Sequence, residues 1–141
     1  MKYIAFLSLS FMLVLQACGQ EKKKESIDQQ LKACLDVEKN QTTAGMIECT
    51  KRAQEQWDQE LNKNYSLLIG KLSADEKEKL KVAQRNWIAY RDKEIEFART
   101  MYVNMQGTMW RVVLADSQME LTKQRSLELK TYVDNLTEPG E

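Results

Sequence analysis

From Ile27 to Leu136 apolar residues return every three or four positions, and no proline interrupts them, the single proline being Pro139. Proline is the strongest breaker of a helix, and a three-to-four period is the mark of an amphipathic one, so this stretch can fold into little other than long helices. Ile27, Leu31, Cys34 and Leu35 outline a short first helix. "KNQTTAG" breaks it, and Thr42 or Thr43 can cap a second, carrying Met46, Ile47, Ala53, Trp57, Leu61, Tyr65 and Leu68 to an end near Gly70. "SADE" places Ser73 three residues before Glu76, a capping box that starts a third helix. Its stripe is Leu80, Ala83, Trp87, Arg91, Ile95 and Ala98, followed by Met101 or Tyr102. "NMQGTM" interrupts near Gly107, and a last helix carries Trp110, Leu114, Leu121, Leu129, Tyr132, Val133 and Leu136. A second capping box at Ser117 and Glu120 allows that helix to begin later instead. Strand-like alternation is absent after Cys18, so the expected fold is all-α, an antiparallel helical bundle of three to four helices with short connections.

The first residues belong to a different region. Lys2 precedes the apolar run "YIAFLSLSFMLVL", which suits the core of a signal peptide better than a membrane span. "LQAC" follows, ending at Cys18, and resembles the lipobox of bacterial lipoproteins. The resemblance implies a signal peptide over 1–17 and a lipid on Cys18, with Gly19 favouring the outer membrane.

 The stretch 18–26, "CGQEKKKES", has nothing apolar to bury after the cysteine and reads as a flexible tether, and 137–141 reads as a disordered tail. The folded domain is therefore expected over 27–136. An exported chain with two remaining cysteines, Cys34 and Cys49, is expected to join them, because disulfides persist outside the cytoplasm. The chain-entropy model gives a loop of that length roughly 3 kcal/mol. A metal site is the alternative, and two cysteines without histidine make a poor one.

Composition narrows the function. Lysine plus arginine and aspartate plus glutamate number 21 each, so no bulk charge points to nucleic acid. There is no histidine, which removes the commonest general base and metal ligand. No glycine-rich phosphate loop or metal-ligand cluster is present in the sequence, and with 30% charged residues most carboxylates must lie on solvated helix faces. The expectation is a binding protein without cofactor or metal, and not an enzyme.

Two polar sets stand out on helix faces. Asp58, Leu61, Asn62 and Tyr65 share one face, and Gln84, Trp87, Ile88 and Arg91 share another at the same spacing. Folding the second and third helices back on each other about Leu72 and Ser73 sets Asn62 near Gln84 and Asp58 near Arg91. The expected result is a structural polar ladder inside that hairpin, since a buried arginine needs a carboxylate. Trp57, Trp87 and Trp110 read as packing residues. Met101, Met105 and Met109, at four-residue steps, fit a core more readily than a deformable docking surface.

These segments also carry a resemblance. "CTKRAQEQWDQELNKNYSLLIGKL", "LKVAQRNWIAYRD" and "LTKQRSLEL" are similar to the lysozyme inhibitor LprI-like N-terminal domain family, over roughly residues 34–132. The marks are Asp58, Leu61, Asn62 and Tyr65, then Gln84, Trp87, Tyr90, Arg91 and Asp92, then Leu121, Thr122 and Arg125. Many members have a cysteine soon after the Tyr-Arg-Asp and another before the Leu-Thr, where this chain has Ile95 and about Ser117, so one of the usual two disulfides is missing. The resemblance implies a small exported helical protein whose named activity is inhibition of lysozyme. A lysozyme-type hydrolase works with two carboxylates in a cleft, so an inhibitor needs donors on a protruding loop. The candidates are Lys71 and Ser73 in "GKLSAD" and Arg111 in "NMQGTMWR". The implied protein is a lipid-anchored inhibitor on the periplasmic face of the outer membrane. The alternatives are an envelope scaffold lipoprotein and an immunity protein against a secreted toxin.

Overall fold

The computed structural model describes residues 26–137. The expected signal peptide over 1–17, Cys18, most of the expected tether and residues 138–141 lie outside the described residues. Four α-helices follow one another: α1 Ile27–Leu35, α2 Thr43–Lys71, α3 Ala74–Val103 and α4 Met109–Thr137, with a 3-10 turn at Glu38–Asn40 between α1 and α2. No strand occurs among the described residues.

Each helix start has a local cause. Ser26 caps α1 in a reciprocal box with Gln29, and the Thr42 hydroxyl accepts from the Gly45 N–H at the start of α2. Ser73 and Glu76 form the box that opens α3, as their spacing predicts. The Ser73 hydroxyl, and then its backbone N–H, hold the Glu76 carboxyl below the usual glutamate range. At the other end of α3 the turn passes through Gly107 at φ 98°, a left-handed conformation that favours glycine. The last helix begins at Met109 and runs on without a break. Ser117 caps nothing, because its hydroxyl donates to the Val113 carbonyl one turn back.

Successive long helices reverse direction at short turns, so α2 and α4 run the same way. Thr43 meets Thr108 at 3.0 Å just before α4, and the Asn64 side chain donates to the Ser126 carbonyl at 3.1 Å further along. This parallel pair carries the core. On α4 the buried positions are Ala115, Met119, Thr122, Ser126, Leu129 and Val133, alternating steps of four and three as in a coiled-coil seam. They face Cys49, Thr50, Ala53, Leu61, Asn64 and Leu68 of α2. Half of this seam is small or polar, which lets the two backbones approach closely. The hydroxyls of Thr50 and Thr122 donate to their own helix, to the carbonyls of Met46 and Gln118, so neither is left unsatisfied.

The third helix packs differently. No residue of α3 is buried. Leu80 and Trp87 lean partly covered on the cluster of Leu61, Leu68, Leu129 and Val133, and the contact of α3 is with α4 rather than along α2. At the opposite edge α1 is held to α2 by the Cys34–Cys49 disulfide, with Cα atoms 5.8 Å apart. Asn40 reinforces that corner by donating to the Cys34 carbonyl at 2.8 Å.

Candidate functional site

The expected polar ladder does not form as paired. Because α3 lies against α4, Asp58 and Arg91 stand on the walls of an open groove of about 620 Å³ whose lining also includes Thr122 of α4. Arg91 turns to its neighbour instead, donating to the Asp92 carboxylate at 2.7 Å and lying 5.2 Å from the centre of the Trp87 ring. Asn62 is exposed and donates back to Asp58 within α2, at 3.1 Å. Gln84 does enter a network between helices, but its partner is Arg125 of α4, whose Nε donates to the Gln84 side-chain oxygen at 3.0 Å. Arg125 also donates to Glu128 at 2.9 Å, and its side chain is only 11% exposed, against 28% for Arg91. Of the two, Arg125 is the more nearly covered arginine and the one that links two helices. Counting outward from the turn after α2 could not reveal it, since that count pairs α2 with α3 alone.

A stability measurement separates the two arginines. Arg91→Met is expected to cost no more than about 1 kcal/mol, the scale of a surface ion pair or an exposed cation–π contact. Arg125→Met removes a donor from Gln84 and a nearly covered guanidinium, and about 2 kcal/mol is expected. Urea denaturation of both variants checks the order; equal midpoints would contradict it.

Lys123 of α4 forms a second link that the sequence did not announce. It donates to the Asp28 carboxylate of α1 at 2.9 Å, and its ammonium lies 5.6 Å from the centre of the Trp57 ring. The hydrogen bond to Asp28 holds Lys123 above the usual lysine range, against the opposing effect of its burial.

The candidate partner-binding residues fall at two separate ends. Lys71 is exposed at the last position of α2, and Ser73 is committed to capping α3, where its hydroxyl lies 2.6 Å from the Glu76 carboxylate. Arg111 is exposed in the first turn of α4. Between the two ends runs α3, 30 residues long, which spans about 45 Å. No single loop insertion into one cleft can use both ends.

The end that carries Arg111 is chemically distinct. Residues 97–115 contain Arg99 and Arg111 and no aspartate or glutamate, in a chain with 21 acidic residues. Tyr102 stacks on Trp110 with ring centres 5.5 Å apart, bracing the turn. Around that brace Phe97, Met101, Val103, Met105 and Met109 are exposed. The methionines thus do not fill a core, contrary to the reading from their spacing: Met101 ends its run on α3, Met105 lies in the turn and Met109 starts α4. A small cavity of about 270 Å³ opens here, lined by Met105, Gly107, Trp110 and Arg111 among others. Among the described residues no cluster of cysteine, aspartate and glutamate could hold a metal ion. None of the described helices is long and apolar enough to cross a membrane.

Comparison with known proteins places this architecture. The sequence profile described as lysozyme inhibitor LprI matches residues 34–129. An uncharacterised protein of Rhizobium meliloti (strain 1021), R02472, is 34% identical over 91 residues, which cover 55% of this chain and 64% of that protein. The crystal structure of an uncharacterised protein from Burkholderia thailandensis superposes with a TM-score of 0.76 at 32% identity, covering 82% of this chain and 57% of that one. In both cases the chain spans less than two thirds of the relative's own length.

Proposed function

The chain belongs to the lysozyme inhibitor LprI family, and from that premise we propose that it binds and inhibits a lysozyme-type peptidoglycan hydrolase through the turn between α3 and α4. The observation that carries the choice of end is the acid-free, apolar surface around Arg111. A glycosidase cleft presents two carboxylates, which a guanidinium can meet with paired hydrogen bonds. Such clefts also have apolar walls, against which exposed methionines can adapt their shape. The turn between α2 and α3 has no comparable character: Lys71 there is followed by Asp75, Glu76 and Glu78, and Ser73 already has its partners. The protein acts by occupying the cleft and catalyses nothing. Anchoring through a lipid on Cys18 would hold it at the outer membrane, and the mass of the N-terminal peptide from the membrane fraction tests that part.

The functional test is lysis of a peptidoglycan suspension by lysozyme in the presence of the full chain. Inhibition near equimolar ratio is expected. Arg111→Glu should weaken it by about tenfold or more, which is 1.4 kcal/mol of binding, while Lys71→Glu should leave it unchanged. Raised salt should weaken the wild-type contact if it is solvent-exposed. Inhibition that survives Arg111→Glu would refute the assigned surface. Absence of binding to every lysozyme class tried would favour the scaffold reading, which the exposed methionines also suit, or the immunity reading.

A further inference from the structure

Another groove, of about 290 Å³, opens between α3 and α4, with walls from those two helices alone. Tyr90, Glu94, Phe97 and Met101 recur along α3 at steps of four, three and four, which sets them on one helix face, and all four line the groove. Glu120 and Leu121 belong to its α4 wall. The Glu94 carboxylate is half-buried, yet it has no hydrogen bond or ion pair among the described residues. Tyr90 and Phe97, one turn before it and one turn after, are 55% and 61% exposed. Glu120 has only a long contact, to Lys123 at 3.6 Å, and Lys123 is drawn away to Asp28 at 2.9 Å. No lysine or arginine among the described residues lines this groove, whereas Lys130, Arg91, Arg111 and Arg52 stand in the walls of four other cavities. Carboxylates and the faces of aromatic rings attract the same sign of charge, and here that charge is missing.

We propose that this groove binds an organic cation, an ammonium or guanidinium group on an apolar stem. The charged head meets Glu94 in a charge-assisted hydrogen bond and the rings of Tyr90 and Phe97 through their negative faces. The stem lies along Met101 and Leu121, a thioether and an alkyl chain that adapt to its shape. An anion is repelled by the same carboxylates. The volume is just below the usual range of small-molecule sites, which suits one charged head and its stem rather than a helix. The groove adjoins the Arg111 surface, since Tyr102 and Leu114 line both it and the small cavity there. A polypeptide lying on that surface can place a basic side chain here, and a free amine can enter alone; both bring the same chemistry.

Methyl-labelled methionine in the full chain reports on the groove, and Met101→Leu identifies the Met101 signal in a carbon–proton correlation spectrum. Titration at constant ionic strength with n-butylammonium, and with a glycine–lysine–glycine peptide blocked at both ends, should move that signal saturably, while n-butanol and butyrate should not. A tighter response to the peptide assigns the cation to a polypeptide side chain, and a tighter response to the amine assigns it to a free small molecule; either supports the site. Glu94→Gln keeps the side-chain shape and removes no internal partner, so it should melt as wild type does and weaken cation binding by about tenfold or more. A Met101 signal unmoved by both cations would overturn the proposal. So would an equal response to n-butanol, or undiminished binding by the folded Glu94→Gln variant. The titration uses no hydrolase, so its failure would leave the inhibitor reading standing, and the reverse also holds.

Discussion

Replacing Leu129 with alanine should destabilise the protein by about 2–5 kcal/mol, while Ile88→Ala on α3 should cost well under half as much. Leu129 is fully covered and sits in the cluster with Leu61, Leu68 and Val133, onto which Leu80 and Trp87 of α3 also lean. Truncating it removes apolar contact and leaves a void between the two parallel helices, which cannot close up around the loss because the seam beside it is held by the Asn64–Ser126 hydrogen bonds. Ile88 is 39% exposed and faces no such void. Urea denaturation measures both; comparable losses would mean that α3 contributes to the core as fully as α4. The unequal distribution also bears on hydrogen exchange, where α3 should open before α2 and α4 because it buries least.

This distribution was only partly legible in the sequence. The helices were readable because their punctuation is chemical and local: Ser73 with Glu76, Thr42, and Gly107 all act where they stand. The pairing of the helices was not. An apolar stripe reports which face of a helix is covered, and the seam of α4 is built on Ala115, Thr122 and Ser126 as much as on leucine, so a search for large apolar residues passes over it. With the α2–α4 seam hidden, the hairpin of α2 and α3 reads as the main contact, with Asp58 and Arg91 as partners across it. The disulfide was legible from the cysteine count together with the expectation of export, and Cys34 and Cys49 are bonded. The Arg111 turn could be located but not judged, because Met101, Met105 and Met109 have the same spacing whether they end in a core or in solvent.

Gly45→Val should destabilise the protein by about 1–3 kcal/mol or more. In the sequence "KNQTTAG" reads as a break between helices, but Gly45 lies inside the first turn of α2, where the chain passes directly under the 3-10 turn. A Cβ built there would stand 2.6 Å from both the Cα and the carbonyl oxygen of Asn40, closer than real side chains come to backbone. Backbone cannot swing aside as a flexible side chain can, so the turn itself must move. Asn40 would lose its position for donating to the Cys34 carbonyl, and the strain would reach the disulfide corner that fixes α1. Gly70 supplies the internal control. It also lies in α2, yet nothing stands within 4 Å of a Cβ added there, so Gly70→Ala should stabilise by up to about 1 kcal/mol through lost freedom of the unfolded chain. Thermal and urea melts of the two variants should therefore move in opposite directions, and a Gly45→Val protein as stable as wild type would show that the 3-10 turn yields without cost.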